Sequence, residues 1–170
     1  MSGLYFRGKL AYARQFGWPH AGLAVAFVIT SNSGIFDVDS MATQRDCDAS
    51  GTGRSTRSEP RYREPLERSA IDLAARAPDC DFVLLGSIAT DKYVGVLSDI
   101  FVARLKYPLD FLGRGDMSRG GLLLRAACSA IELAYAVVDP GTTRRGKRPP
   151  RLESEQSEAS ANRVVGKPSD

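Results

Sequence analysis

The chain holds 170 residues, 43% of them hydrophobic and 25% charged, which suits one globular domain and leaves no compositional case for a fibrous or repeat protein. Its 23 basic and 20 acidic side chains leave a formal charge of only +3, too small a bias to argue by itself for a polyanionic partner. The three cysteines, Cys47, Cys80 and Cys128, cannot all pair within one chain and form no C-x-x-C, which points to a reduced, cytoplasmic compartment.

Leu4 to Phe16 carries apolar side chains at helical spacing, and Gly17 and Pro19 supply a stop. Arg7, Lys9 and Arg14 interleave with those apolar residues, so the segment reads as a first helix rather than a secretory signal. Leu23 to Thr30 is a continuous apolar run with β-branched residues, which suits a strand covered on both faces. The apolar stretch from Ala21 to Thr30 reaches about half of the roughly 20 residues needed to cross a bilayer, so no membrane span is expected. A Ser, Thr, Gly, Asp and Arg mixture from 41 to 59 has too few apolar residues to offset the entropy of ordering it, and is expected to be a mobile loop.

Helical spacing resumes over Glu64 to Ala77, with Pro65 tolerated in a first turn. Phe82 to Leu85 reads as a second buried strand that breaks at Gly86-Ser87. Thr90-Asp91 starts a helix whose buried stripe is Val94, Leu97, Ile100 and Phe101, and Arg104 to Tyr107 forms a short strand before Pro108. After the glycine-rich loop Gly113 to Gly121, Leu122 to Ile131 reads as helix and Leu133 to Val138 as a last strand. Residues 1–139 thus make a single α/β domain, a small, mostly parallel three-layer sheet with flanking helices, and 140–170 a disordered basic and acidic tail.

Two loops have the chemistry of a ligand site. Glycines 113 and 115 permit backbone angles closed to other residues. Gly120 and Gly121 would let a ligand approach the next helix, where Arg114, Ser118 and Arg119 offer donors and charge. Asp116 is the candidate catalytic or orienting group; alternatively Asp116 or Ser118 caps the helix and the loop is only a tight connection. At the carboxyl end of the second strand, where open α/β sheets place ligands, Ser87 and Lys92 are further ligand-binding candidates. Lys9 and its basic neighbours would line the same cleft if the first helix packs beside these loops. Neither a P-loop nor a G-x-G-x-x-G is present, and the single histidine, His20, stands next to Pro19 in an expected loop, so a Ser-His-Asp arrangement is not expected. No metal and no cofactor are expected, since one histidine and three dispersed cysteines supply no ligand spacing.

Leu4 to Arg14, Leu84 to Val94 and Gly113 to Arg125, with Arg148-Pro149-Pro150-Arg151-Leu152 near the end, resemble blocks shared by a family of short bacterial proteins without an established activity. The resemblance implies a fold and a cytoplasmic setting, and carries no reaction with it. The chain departs from that pattern over Ser31 to Ser58, where the family has a Gly- and Pro-rich loop, which puts activity of this member in doubt if that loop belongs to a site. The expected partner is a nucleotide-like or phosphorylated small molecule, with hydrolysis or group transfer as the reaction class if there is one. The alternative is a non-catalytic interaction module that recruits a partner through the 41–59 loop or through the basic residues Arg144 to Arg151, a weaker fit to nucleic acid because no aromatic residue is interleaved for stacking.

Overall fold

A computed structural model of the chain describes residues 3–18, 20, 22–30, 33–40, 60–86, 88 and 91–138, with the backbone alone at 60–62 and 91–92. The loop expected at 41–59 and the tail expected at 140–170 lie outside the described residues. The order of elements is α1 (Gly3–Phe16), β1 (Phe27–Thr30), β2 (Gly34–Asp37), α2 (Pro60–Arg76), β3 (Phe82–Val83), α3 (Asp91–Phe101), β4 (Leu105–Pro108), α4 (Asp116–Ser129) and β5 (Tyr135–Val137). Short 3₁₀ turns at Val102–Arg104 and Leu109–Phe111 flank β4.

The α/β character expected from the sequence is present, but the described strands do not form a mostly parallel sheet. They make two small sheets, of two and three strands, in which β3 and β4 are parallel while β1–β2 and β4–β5 are antiparallel. The apolar run read as one buried strand over 23–30 extends only from Phe27, and its residues are half-buried. It turns back at once on β2, a strand the sequence reading did not assign. The turn is built by Thr30, whose hydroxyl donates to the Gly34 carbonyl at 3.0 Å and accepts the Ser33 N–H at 3.2 Å. Gly34 has φ +83°, and a Cβ there would meet the Pro65 carbonyl of α2 at 2.4 Å. Ser69 completes the junction by accepting the Ile35 N–H at 2.9 Å while donating to the Pro65 carbonyl at 2.7 Å. β5 runs antiparallel to β4 because α4 ends at Ala130, in the left-handed conformation with φ 54°, and the chain returns within a few residues.

Buried side chains fall into two clusters. Leu66, Ala70 and Leu73 of α2 pack with Val94, Leu97 and Phe101 of α3, and with Leu84, Leu105 and Tyr107. Tyr5 and Tyr12 of α1 pack with Phe111 and with Leu123 and Ala126 of α4, and half-buried Leu85 packs against them. Consecutive residues Leu84 and Leu85 thus serve different clusters, as expected where extended backbone sends alternate side chains to opposite sides.

The approach of α1 to α4 is set by two glycines. A Cβ on Gly8 would stand 2.7 Å from the Gly120 carbonyl oxygen, and one on Gly120 would stand 2.9 Å from the Tyr5 Cα. Side chains normally hold packed helices about 8–10 Å apart, and their absence here lets backbone meet backbone. This contact also changes the glycine-rich segment. The helix begins at Asp116 rather than at Leu122, so Ser118, Arg119, Gly120 and Gly121 are helical, and the loop proper is only Gly113 to Gly115. Two adjacent glycines disfavour helix by about 1 kcal/mol each, which is why the segment reads as loop; packing against α1 overrides that preference.

Ala is the better helix former at every one of these glycines, so substitution separates packing from propensity. Gly8→Ala is expected to lower stability by about 1–2 kcal/mol in denaturant unfolding, the overpacking outweighing the propensity gain. Gly121→Ala, whose Cβ would have nothing within 4 Å, is expected to raise it by up to about 1 kcal/mol.

Candidate functional site

The α1–α4 contact gathers a group of polar side chains at the first turn of α4. Gly113, with φ 71°, turns the chain, and Gly115 takes the N-cap position in extended conformation with no side chain capping the helix. Neither Asp116 nor Ser118 therefore acts as the cap. Asp116 lies in the first turn with its carboxylate 55% exposed, where the helix dipole favours negative charge. Ser118 accepts from Arg114 Nη1 at 3.3 Å.

Arg119 is the one charged residue that is buried among those described, at 8% exposure. A buried charge is costly unless its donors are met. Here Nε and Nη2 both donate to the Phe111 carbonyl, at 3.3 and 3.1 Å, and the guanidinium lies 5.3 Å from the centroid of the Phe111 ring. Nη1 stands 3.8 Å from Asp116 Oδ1, and the guanidinium lies near enough to the Tyr5 hydroxyl to act on its proton affinity. The Tyr5 hydroxyl donates in turn to the Leu85 carbonyl at 2.9 Å, just past β3. Burial pushes the Tyr5 phenol up to about 12, against the pull of Arg119. Lys9, one turn along α1, places its ammonium 4.0 Å above the Tyr5 ring, and burial lowers its pKa while Asp116 acts the other way. Tyr93 of α3 closes the group: its hydroxyl is 2.8 Å from where a Cβ on Gly86 would be, so glycine alone fits there without a shift.

A second polar chain ties α1 to the segment before β5. The Leu133 N–H donates to the Tyr12 hydroxyl at 2.9 Å, Tyr12 and Tyr135 share a hydrogen bond of 2.6 Å, and Tyr135 donates to Glu132 Oε1 at 2.8 Å. Burial raises both phenols, Tyr135 the more strongly because its partners also favour its protonated form.

Between these features opens a cavity of about 680 Å³. Its wall includes Phe16, Val25, Phe27, Leu84, Leu97 and Phe101, together with Lys9, Gly86 and Tyr93 from the group above and Tyr12, Glu132 and Tyr135 from the second chain. A sealed apolar void of 680 Å³ would cost on the order of 16 kcal/mol, more than the whole stability of a typical domain, so the space is an accessible cleft. Its volume is in the range of small-molecule sites.

Of the residues singled out from sequence, Asp116, Arg119 and Lys9 come together. Arg114 and Ser118 bond to each other beside them. Gly120 faces the α1 backbone and leaves no room for a ligand, whereas Gly121 is open. Ser87 and the side chain of Lys92 lie outside the described residues. Arg7 is exposed and Arg14 pairs with Asp39 at 2.8 Å on the surface. Tyr5, Tyr93 and Tyr12 were not anticipated, although Tyr5, Gly8 and Tyr12 share one face of α1 at helical spacing. Among the described residues no cluster of His, Cys, Asp or Glu has the arrangement of a metal site, and no helix is long and apolar enough to cross a membrane. Comparisons with protein-family models, curated proteins and solved structures return no match. The resemblance to short bacterial proteins therefore stands on its sequence blocks alone.

The raised phenols give a signed pH dependence. Tyr5, Tyr12 and Tyr135 keep protons in the folded state that the unfolded chain releases above pH 10, so their contribution is complete below pH 10 and falls as pH rises toward 12. Lys9, held below its ordinary value, acts in the opposite sense but is a single group. Denaturant unfolding from pH 9 to 11.5 is expected to show stability declining by about 1.4 kcal/mol per pH unit for each retained proton, with a shallower decline in Tyr5→Phe.

Proposed function

We propose that the protein binds a nucleotide-like or other phosphorylated small molecule beside the first turn of α4. The observation that carries this reading is the Arg119–Asp116 pair at the first turn of α4, with the Lys9 ammonium over the Tyr5 ring beside it. Two cations against one anion leave the group with a positive excess, and partial burial protects that excess from solvent screening. Arg119 is committed to Phe111, Asp116 and Tyr5, so its role is to hold the field and the helix start in place. Lys9 is the cation on the cleft side and would meet the phosphoryl group. Asp116, with its exposed carboxylate, would accept a ligand hydroxyl or a proton if the bound compound is hydrolysed or transferred. The cell compartment consistent with this reading is the cytoplasm. The alternative of an interaction module rests on residues 41–59 and 144–151, which lie outside the described residues.

Thermal unfolding against inorganic phosphate, nucleotides and sugar phosphates tests the reading. A ligand at 100 times its dissociation constant is expected to add about 2.7 kcal/mol of stability, and Lys9→Gln to remove most of that gain while unfolding cooperatively. No shift with any phosphorylated compound would overturn it. Arg119→Ala is a poor probe, since it exposes a core that the guanidinium fills.

A further inference from the structure

We propose that the cleft takes an extended peptide segment of another protein, which pairs as an added strand with the open edge of β1. This goes beyond the phosphate reading and is independent of it, since it uses backbone groups of the strands and not Lys9, Asp116 or Arg119. In an antiparallel pair the backbone groups of successive residues point alternately toward the partner strand and away from it. The Val38 N–H donates to the Ala26 carbonyl at 3.1 Å, so in the register Phe27↔Asp37, Val28↔Phe36, Ile29↔Ile35 the residues that face β2 are Ala26, Val28 and Thr30. The Ile35 N–H agrees with this alternation, for it points away from β1 and is taken by Ser69. The N–H and C=O of Phe27 and Ile29 are therefore turned to the other edge of β1, where no strand is paired among the described residues. β3 has an open edge by the same rule: the Leu84 N–H donates to the Lys106 carbonyl at 2.7 Å, which turns the backbone groups of Val83 away from β4.

Phe27, Ile29 and Val83 all line the 680 Å³ cleft, so both open edges border one space. Half-buried backbone donors and acceptors need partners, and an extended polypeptide supplies both at strand spacing. Edges that must stay unpaired are usually blunted by a lysine, a proline or a bulge, and Phe27-Val28-Ile29-Thr30 has none of these. Side chains of an added strand point alternately to its two sides, and the wall offers Leu97 and Phe101 from the cluster of α2 and α3, and Phe16 from that of α1 and α4. Exposed Trp18 and Phe6 also border the cleft, aromatic anchors of the kind that protein interfaces favour. The charged groups of the wall, Asp81, Glu132, Lys9 and Lys106, are of both signs, so backbone pairing and apolar side chains select the peptide rather than net charge.

The test uses the full-length protein and a short acetylated peptide of alternating valine and threonine with a lysine at each end, binding being followed by the emission of Trp18, the chain's single tryptophan. Amide hydrogen exchange is read by NMR with and without the peptide. In the free protein the Phe27 and Ile29 amides are expected to exchange faster than that of Val28, which is already bonded to β2, and the peptide is expected to slow them by about tenfold or more while leaving Val28 little changed. Two further peptides, N-methylated at the odd or at the even residues, remove the donors of one edge at a time, and at least one of them is expected to bind about tenfold more weakly. Phe27 and Ile29 amides as protected as Val28 in the free protein would overturn the open edge, and sedimentation as a dimer in that state would assign the edge to a second copy instead. No binding of the peptide, binding without new protection at Phe27 and Ile29, or equal binding of both N-methylated forms and the parent peptide would each overturn the proposal. None of these outcomes bears on the response to phosphorylated compounds, so the two readings fail separately.

Discussion

Everything distinctive about this structure follows from the contact of two glycines, Gly8 on α1 and Gly120 on α4. With no Cβ on either, the helices approach until the Tyr5 backbone lies against Gly120, a distance no other residue pair would allow without displacing backbone. That approach sets the Tyr5 hydroxyl on the Leu85 carbonyl and in the field of the Arg119 guanidinium, and it sets Lys9 over the Tyr5 ring. The helix start, the end of β3 and the N-terminal helix are thereby joined through one buried cation.

Arg119 shows why a charge is placed in such a position. Each of its contacts belongs to a different segment: Phe111 before the loop, Asp116 in the first turn and Tyr5 on α1. An apolar side chain of similar size would pack at less desolvation cost, but would not fix the Phe111 carbonyl or orient the carboxylate. The arrangement trades stability for geometry, and the geometry is that of a buried guanidinium with one exposed carboxylate at its edge.

The sequence made the helices legible because their apolar spacing is local, and α1 and α3 lie within a residue or so of where that spacing puts them. It misled where a tertiary contact overrode a local preference. Gly120-Gly121 reads as loop, yet lies inside α4 because Gly120 is needed for the approach of α1. The hairpin return through Gly34 was hidden for the opposite reason, since Ser-Asn-Ser-Gly signals a turn but not which strand follows it. β5 reads as a strand, while its direction depends on the tight reversal at Ala130, a residue whose type does not advertise a left-handed conformation. For the site, Asp116, Arg119 and Lys9 were visible as charged residues in glycine-rich or amphipathic segments. The tyrosines were not, because a Tyr on an apolar stripe looks the same whether or not its hydroxyl meets a cation. The apolar cleft has no sequence signature at all, being formed by residues from α1, both sheets and α3.

The central claim is that α1 and α4 are coupled through the Tyr5 hydroxyl and the Arg119 guanidinium, and a double-mutant cycle measures that coupling without a ligand. Stabilities of the parent, Tyr5→Phe, Arg119→Lys and the double variant would be compared by denaturant unfolding at pH 7. The account predicts that the two substitutions are non-additive by about 1 kcal/mol or more, since each removes the same interaction. Additivity within about 0.5 kcal/mol would contradict it, and would mean that the two helices meet without the contact from which the site is built.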